Sequence, residues 1–412
     1  MASDRLGIGF VGSGFVARFH IQSLVSVRDA DVAAITSPTR AHAEAAASLV
    51  ETLSVGSPRV HSSVAEMVSD PAVDAVWICS PNDTRLAVVE EIVDAVERGA
   101  ELRGIVCEKP LARNVAEARR MLELIGRTSL LHGYLENQVF APALVRGKEI
   151  LWRRAAPITG RPYLARAAEE HSGPHTPWFW SGAKQGGGVL NDMLCHSYEA
   201  ARFLLTSPDE ANDALTVREV SAQIASLKWT RTEYIELLRE RTGGAVDYGQ
   251  APAEDYARST VRLDAPGGEP LLIEATTSWD FVGPGLRLRM ELLGPEYSMQ
   301  VDSLNGELQV FLSRRVTGSE GEDLVEKQNA EQGLMPVVPD EPASYGYVAE
   351  NRHMVRALLD GRPPAETWDD GLAVTTVLMA SYLSAERGSV VSFPEPELET
   401  FVPAVARGTW KP

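Results

Sequence analysis

The sequence is poor in cysteine and has no apolar run long enough to span a membrane. Cys79, Cys107 and Cys195 are an odd number without Cys-x-x-Cys spacing, so we expect neither a disulfide framework nor a thiolate zinc site. The longest uncharged apolar stretch, 371–385, is shorter than the roughly 20 residues that a bilayer requires. Residues 1–5 lack the pattern of a signal peptide. These absences predict a protein of the reducing cytoplasm.

Positive charge is also scarce. Lys and Arg number 39 against 57 Asp and Glu, and the formal net charge of −18 disfavours nucleic acids and anionic membranes as partners. Hydrophobic residues make up 44% of the 412 residues, which is enough for a sizeable core. A chain of this length is expected to form two or three domains.

The first 150 residues alternate short apolar runs with segments of helical periodicity. This alternation predicts right-handed βαβ units and a doubly wound parallel sheet, which is a Rossmann domain. Asn114 and Glu117 form a capping-box pattern before the last helix. The predicted strands are 6–11, 32–36, 75–79, 105–107 and 130–134, and the predicted helices are 16–27, 40–50, 84–98 and 115–125.

From residue 151 onward, longer alternating segments predict an α+β domain with a large open, mostly antiparallel sheet. Asn305-Gly306 predicts a hairpin turn between strands 299–304 and 307–312. Segment 346–388 returns to helical spacing, and its helices are candidates to pack back on the Rossmann domain. We therefore expect a cofactor domain over 1–150 and a substrate-binding and oligomerisation domain over 151–412.

A glycine motif joins the first strand to the first helix. It consists of Gly9, Gly12 and Gly14, and Phe15 and Val16 open the helix. Glycines allow a tight turn and let the backbone approach a pyrophosphate, whose charge meets free N–H groups and the positive end of the helix dipole. The motif predicts dinucleotide binding, and a simple strand-to-helix turn is the alternative.

The end of the second strand bears on the choice of cofactor. NAD-preferring sites usually place Asp or Glu there to hold the ribose 2′-hydroxyl, whereas this chain has Thr36, Ser37 and, further on, Arg40. A hydroxyl and a guanidinium suit a 2′-phosphate. The sequence therefore predicts NAD or NADP with a slight preference for NADP. A solvated Arg40 on the first turn of the second helix is the alternative.

Two further motifs carry groups that can move a proton. Lys109, in Cys107-Glu108-Lys109-Pro110, follows a strand at the edge where open α/β sheets bind ligands. Asp192 and His196 are four residues apart and share a helix face, where an imidazole can relay a proton and a carboxylate can bind substrate or orient the ring. The alternatives are a solvated lysine, an aspartate at a helix start and a satisfied interior histidine.

Segment 169–180 is rich in aromatic residues and histidine. His171, His175, Trp178 and Trp180 are candidates for substrate contacts, because aromatic faces stack on sugar C–H surfaces and imidazoles bind hydroxyls. An aromatic anchor that packs the loop onto the sheet is the alternative. The histidines with Glu170 suggest a metal site, but hydride chemistry needs none, so we predict no metal.

The motifs in this order make the chain resemble the Gfo/Idh/MocA family (glucose-fructose oxidoreductase, inositol dehydrogenase and MocA) over nearly its whole length. The resemblance implies a nicotinamide enzyme in which Lys109 and His196 act around the reacting hydroxyl and Asp192 binds substrate or orients His196. It also implies a cofactor cleft lined by Ser80, Pro81, Asn82, Glu108, Lys109 and Asn137. The matching motifs are Gly9-x-x-Gly12-x-Gly14 with His20, Ser80-Pro81-Asn82, Glu108-Lys109-Pro110 and Gly186-Gly187-Gly188-x-x-x-Asp192-x-x-x-His196.

The chain departs from the family pattern at three places. Arg85 follows the Ser-Pro-Asn turn where the family often has His, and Glu199 stands where many relatives have Asp. Segment 136–140 replaces an Asn-x-Arg-Phe type sequence, which weakens the transfer of substrate contacts from better-known sugar dehydrogenases.

These observations predict an NAD(P)-dependent oxidoreductase that acts on a hydroxyl or keto carbon of a sugar, glycoside or cyclitol. Two alternatives remain open. One is a glycosidase or lyase that retains its cofactor and acts by transient oxidation, and the other is a non-catalytic sugar- or nucleotide-sensing regulator. The family sheet commonly mediates oligomers, which implies a homodimer or homotetramer.

Overall fold

The computed structural model describes residues 5–305, 308–312, 333–337 and 340–412, with the strands at 308–312 and 333–337 described by their backbone only. Contacts divide the chain into two units, residues 1–142 with 345–375 and residues 143–344 with 376–412. Among the described residues, no helix combines the length and the apolar character needed to cross a bilayer.

The first unit contains a six-stranded parallel sheet with the strand order β3-β2-β1-β4-β5-β6, and the predicted Rossmann fold is confirmed. Buried aliphatic residues fill its strands because helices cover both faces of such a sheet. The strands are β1 Leu6–Val11, β2 Ala30–Thr36, β3 Gly56–His61, β4 Ala75–Ile78, β5 Gly104–Glu108 and β6 Leu131–Leu135. The helices are α1 Phe15–Ser23, α2 Arg40–Thr52, α3 Val64–Val68, α4 Arg85–Glu97 and α5 Val115–Ile125.

Two elements of this unit show where the local sequence pattern is enough to predict an element and where it is not. Helix α5 has its predicted bounds because Asn114 Oδ1 accepts a hydrogen bond from Glu117 N at 3.0 Å, which is the expected cap. Strand β3 was not predicted, because it is a polar edge strand with a glycine and a proline and pairs only with β2.

The second unit contains a seven-stranded sheet with the order β12-β11-β7-β10-β9-β8-β15, and the predicted open, mostly antiparallel sheet is confirmed. Only the pair β7–β10 is parallel. Its strands are β7 Leu164–Glu170, β8 Thr216–Ala225, β9 Tyr256–Asp264, β10 Pro270–Ser278, β11 Arg287–Gly294, β12 Tyr297–Asp302 and β15 Val391–Ser392. Strands β13 Leu308–Leu312 and β14 Gly333–Val337 form a separate two-stranded sheet.

The hairpin predicted at Asn305-Gly306 is wrong as regards strand pairing. Strand β12 pairs with β11, and β13 pairs with β14. The turn itself extends to Gly306, which lies outside the described residues. A local turn signal does not decide pairing where a neighbouring strand offers a longer apolar partner.

The remaining helices follow along the chain, and α9 lies against β7 and β10. They are α6 Pro142–Arg154, α7 Ala156–Thr159, α8 Gly182–Gln185, α9 Val189–Leu205, α10 Thr232–Arg241, α11 Glu341–Ser344, α12 Tyr347–Leu359 and α13 Trp368–Arg387.

The boundary between the two units lies after residue 142 rather than at the expected residue 150, because α6 packs within the second unit. Trp152 Nε1 donates to Leu204 O at 3.0 Å, and Lys148 Nζ lies 3.7 Å from the centre of the Phe203 ring.

Helix α12, by contrast, belongs to the first unit. Trp77 Nε1 donates to Asn351 Oδ1 at 2.9 Å. A Cβ on Gly104 or Gly133 would lie within 3 Å of Leu358 or Met354, so these glycines let the helix approach the sheet closely. The division between the two units falls inside α13, at Thr375.

Candidate active site

The glycine motif has the backbone geometry that a bound dinucleotide needs. Gly12 has φ of +103°, and a Cβ there would lie 2.8 Å from Cys79 O, so only glycine fits this turn. Gly14 is the N-cap of α1, and a Cβ on it would meet nothing within 4 Å. The first turn of α1 has no side-chain cap and no acidic residue. This open, uncapped helix start fits a pyrophosphate.

The remaining residues of this motif differ in exposure. Gly9 is buried in β1, and a Cβ there would lie 3.1 Å from Met67 Sδ. Phe15 is exposed and Val16 is partly buried. Gly9 thus serves close packing in the strand, whereas Phe15 and Val16 stand at the helix start beside Gly14.

The two residues predicted to hold a 2′-phosphate lie just past the end of β2. Ser37 is partly buried, and Arg40 is exposed on the first turn of α2. Arg40 Nε donates to Glu44 Oε1 at 2.8 Å, one helical turn away. Such exposed ion pairs are weak, so the guanidinium can exchange this partner for a phosphate.

Two predicted site segments follow neighbouring strands and are tied together by Arg85. Ser80-Pro81-Asn82 follows β4, and Glu108-Lys109-Pro110 follows or ends β5. The buried Arg85 guanidinium donates to the carbonyl oxygens of Ser80, Glu108, Lys109 and Pro110.

The carboxylate of Glu108 is buried and fixed on both oxygens. His20 Nε2 lies 2.7 Å from Oε1, and Lys109 N donates to Oε2 at 3.0 Å. Burial by itself raises the pKa of Glu108, but the hydrogen bond from His20 and the nearby charges of Lys109 and Arg85 together hold this pKa below its usual value. The backbone nitrogen of Lys109 is therefore anchored by an ionised side chain.

The other nitrogen of His20 faces α12. Asn351 Nδ2 lies 2.8 Å from His20 Nδ1, and Glu350 Oε2 lies 3.9 Å from it. Burial, followed by repulsion from Glu108, Glu136 and Glu366, raises the pKa of Glu350 well above its usual value. The surroundings therefore favour the protonated form of Glu350 and the charged form of Glu108.

Asn137 opens a 3₁₀ helix, Asn137–Phe140, beyond β6. Its Nδ2 donates to Tyr345 O at 2.7 Å, and its side chain is buried. This contact joins the residue to the chain segment that returns to the first unit.

In the second unit, α9 presents Asp192 and His196 one turn apart, and both are buried. Trp279 Nε1 donates to Asp192 Oδ2 at 3.3 Å. The structure thus brings Trp279, at the end of β10, to the carboxylate that the sequence singled out.

The start of α9 is held by Glu254 and Tyr382. Glu254 Oε1 accepts from Gly188 N at 2.9 Å, Leu190 N at 3.1 Å and Tyr382 Oη at 2.5 Å. A Cβ on Gly187 would lie 1.9 Å from Tyr382 Oη, which explains a glycine there. Burial raises the pKa of Glu254 to about 7, against the opposing hydrogen bond from Tyr382.

Segment 169–180 divides into buried and accessible residues. His171 is buried, and its Nδ1 accepts from Gly173 N at 2.9 Å. His175 is exposed, and Trp178 is partly buried and stacks on Phe179 with ring centres 3.8 Å apart.

Trp180 belongs to a buried aromatic cluster rather than to the accessible part of this segment. Its ring centre lies 4.6 Å from that of Trp229, 5.1 Å from that of Trp279 and 5.8 Å from that of Tyr248. This packing favours the anchor alternative for Trp180, and His175 and Trp178 remain the accessible candidates for substrate contacts.

Comparison with known proteins assigns both halves of the chain to one family. Residues 6–133 match the family described as "Oxidoreductase family, NAD-binding Rossmann fold", and residues 156–300 match the "GFO/IDH/MocA C-terminal domain". The chain belongs to the Gfo/Idh/MocA family of oxidoreductases. The resemblance inferred from the motifs is confirmed, and the protein is an enzyme with an NAD-binding fold.

Individual relatives cover most or half of this oxidoreductase. It is 24% identical over 408 residues to levoglucosan dehydrogenase of Pseudarthrobacter phenanthrenivorans, covering 95% of this chain and 99% of that protein. It is 26% identical over 198 residues to myo-inositol 2-dehydrogenase of Thermotoga maritima, covering 48% and 54% of the two chains. The crystal structure of GenD2 from gentamicin A biosynthesis, in complex with NAD, matches with 26% identity and a TM-score of 0.75, covering 95% and 97%.

Two of the three departures from the family pattern, Glu199 and Arg85, have structural roles in this oxidoreductase. Glu199 is buried, and its oxygens accept from Arg202 Nη2 at 2.6 Å and Nε at 2.8 Å. It is thus committed to an ion pair on its own helix. Arg85 binds carbonyl oxygens of the segments that follow β4 and end β5.

Sequence reasoning missed Trp279, Glu254 and Tyr382. Each lies more than 60 residues from the α9 residues it contacts, so no local spacing indicates the contact. The one local signal is that Trp279 ends the alternating apolar segment 271–279.

Proposed function

We propose that this oxidoreductase is an NAD(P)-dependent dehydrogenase or reductase for a hydroxyl or keto carbon of a sugar, glycoside or cyclitol. The observation that carries the proposal is that both proton-handling motifs are present and built into rigid elements. Lys109 is anchored at the end of β5, and Asp192 and His196 share one face of α9. The relatives named as levoglucosan and inositol dehydrogenases support the substrate class.

The chain's own residues have distinct proposed roles. The Gly12–Gly14 turn and the first turn of α1 hold the pyrophosphate of the dinucleotide, and Ser80, Pro81, Asn82, Glu108 and Asn137 line its cleft. A bound nicotinamide supplies the acceptor or donor of the hydride. Lys109 or His196 accepts the hydroxyl proton in the oxidative direction and returns it in reduction.

On the substrate side, Asp192 binds a substrate hydroxyl or orients His196, and the Trp279 N–H holds the Asp192 carboxylate in place. His171, His175 and Trp178 contribute further substrate contacts. Trp180 acts through packing, because it lies inside the aromatic cluster.

The proposed cofactor preference is NADP over NAD by a small margin. It is supported by the lack of a carboxylate at Thr36-Ser37 and by the exposed Arg40 guanidinium, which pairs with the surface residue Glu44. Fluorescence titration with NADH and NADPH tests it, with Arg40→Ala expected to weaken only NADPH. Binding of NADH alone by the wild type contradicts the preference.

The experiment that tests the function is a turnover screen with free sugars, glycosides and inositols, followed by Lys109→Met and His196→Asn. Loss of a positioned acid or base is expected to lower kcat by roughly 10²- to 10⁴-fold. Cofactor affinity is expected to stay within about threefold, because neither residue anchors the pyrophosphate. Wild-type kcat in both variants would overturn the assignment. Substrate cleavage without net change in nicotinamide absorbance would favour the retained-cofactor alternative.

We also propose that the enzyme works in the cytoplasm as a homodimer or homotetramer assembled through the seven-stranded sheet. Buried thiols without disulfides support a reducing compartment. One sheet face carries exposed opposite charges, including Arg166 Nε at 2.6 Å from Glu274 Oε2, which suit a self-complementary interface. Light scattering after size-exclusion chromatography measures the oligomer, and a monomer at micromolar concentration contradicts this part.

A further inference from the structure

Arg85 is a buried cation that binds main chain. It is the first residue of α4, and only 3% of its surface is exposed. Its Nε donates to Ser80 O at 3.1 Å, its Nη1 donates to Glu108 O at 2.5 Å and to Pro110 O, and its Nη2 donates to Lys109 O at 3.2 Å. One side chain therefore bridges the segments that follow two adjacent strands.

A guanidinium can make this set of contacts and an imidazole cannot. Arginine presents five N–H donors in a rigid planar fork, whereas histidine has at most two, on opposite sides of a ring. The buried charge is balanced nearby, because Arg85 helps to lower the pKa of the Glu108 carboxyl. Arginine at this position thus supplies more donors than histidine could, together with a permanent charge.

The contacts converge on the backbone of Lys109. Its N–H donates to Glu108 Oε2 at 3.0 Å, and its carbonyl accepts from Arg85 at 3.2 Å. Glu108 is itself held by His20 at 2.7 Å. The lysine side chain is therefore attached to a backbone unit fixed at both ends.

We propose that Arg85 is a positioning residue for the reaction, which fixes Lys109 and the Ser80–Asn82 turn relative to each other. The inference rests on the proposed function of Lys109. It assigns no direct contact with substrate to Arg85. Its consequence is that losing the fork misplaces the lysine while the glycine turn and the start of α1 still hold the dinucleotide.

The kinetic test compares the wild type with Arg85→Met, Arg85→His and Arg85→Lys. A displacement of about 1 Å at a reacting group costs on the order of 10²-fold in rate, so kcat is expected to fall about 10- to 100-fold in the Met and His variants. KM and the dissociation constant of the reduced cofactor are expected to stay within about threefold, because the glycine turn and the first turn of α1 still hold the dinucleotide. Arg85→Lys keeps the charge and some donors and is expected to recover part of kcat.

A second measurement does not depend on turnover. Hydrogen exchange followed by mass spectrometry is expected to be about tenfold faster in Arg85→Met for peptides covering 79–84 and 107–112, because these turns open more often. Exchange in α9 should match the wild type. Arg161→Met is the control, since Arg161 also donates to a carbonyl, Leu205 O, and to the Glu210 carboxylate, both in the second unit.

The outcomes separate the inference from the function it rests on. A wild-type kcat in Arg85→Met, or a loss confined to cofactor affinity, overturns the positioning role. If Arg85→Met does not fold, the same criteria apply to Arg85→Lys. If the wild type turns over no polyol, the proposed function fails, and unchanged exchange in both turns would then also refute Arg85 as the residue that fixes them.

Discussion

At the scale of single residues, two glycines of one motif meet opposite surroundings. Gly12 has a left-handed backbone and a carbonyl 2.8 Å from the place of a Cβ, whereas Gly14 has φ of −74° and open space beyond it. Conformation thus requires the first glycine. The fold leaves room for a methyl group at the second glycine, so only a bound ligand would exclude a side chain there.

We therefore expect Gly12→Ala and Gly14→Ala to differ. Gly12→Ala should lose at least 1–3 kcal/mol of stability through backbone strain. Gly14→Ala should stay within about 1 kcal/mol of the wild type but bind the reduced cofactor about tenfold more weakly, because the methyl occupies the approach of the pyrophosphate. Thermal unfolding and fluorescence titration measure the two effects. Unchanged affinity in Gly14→Ala would place the pyrophosphate elsewhere.

Sequence reasoning reached the candidate residues that local spacing defines and missed those that only folding brings near. Asp192 and His196 share a face because a helix repeats every 3.6 residues, so four-residue spacing suffices. Glu254, just before β9, and Tyr382, on α13, contact the start of the same helix. Nothing in the local sequence around either residue indicates these contacts. The packing of Trp180 in the aromatic cluster likewise depends on residues distant in sequence, Trp229 and Trp279.

At the scale of elements, α9 depends on a carboxyl group at its start. A carboxylate near a helix N-terminus is favourable, yet full burial raises the pKa of Glu254 to about 7. The folded protein therefore binds this proton more tightly than the unfolded chain does. The associated stability is fully present below about pH 4.5, the ordinary value, and declines as the pH rises to about 7.

Glu254→Gln should remove this dependence, because the amide keeps an acceptor for Gly188 N and Leu190 N and does not titrate. The free energy of unfolding of the wild type minus that of the variant should fall by roughly 3 kcal/mol between pH 4.5 and pH 7 and then stay level. Urea unfolding at several pH values measures it. Glu240→Gln, an exposed carboxyl on α10, controls for charge. A difference independent of pH would contradict the assignment.

Helices and strands that are set by local sequence were predicted, whereas those that depend on distant contacts were not. The cap at Asn114 and the buried runs of β1 and β5 are local, and these elements were predicted to within a residue or two. Strand β3 depends on pairing with β2, and β12 prefers β11 to the strand beyond the Asn305 turn. Pairing choices of this kind are decided by tertiary contacts.

At the scale of the whole molecule, the Rossmann unit is discontinuous in sequence. Residues 345–375 return to it, and Met354, Val355, Leu358 and Trp368 are buried. Trp368 Nε1 donates to Gly133 O at 3.0 Å. Burial of such side chains contributes roughly 1.5–3 kcal/mol each, so together they match the 5–15 kcal/mol stability of a typical domain.

We expect a fragment of residues 1–142 to lack a cooperative thermal transition and the same fragment joined to 345–375 to show one. A short glycine-serine linker should suffice, because Asn137 Nδ2 lies 2.7 Å from Tyr345 O. Circular dichroism and calorimetry distinguish the two fragments. A cooperative transition in the shorter fragment at the temperature of the longer one would show that the returning segment is dispensable.

The buried thiols of Cys79 and Cys107 are intrinsic probes of local opening in this unit. Burial raises the pKa of Cys107 to about 11 and that of Cys79 well above its usual value, so both are poor nucleophiles in the closed protein. Cys79 directly follows β4 and precedes the Ser80 turn, and Cys107 is the penultimate residue of β5. We therefore expect alkylation of either thiol to require transient opening, and its rate would report, without any introduced label, how often the segments around Ser80 and Glu108 come apart.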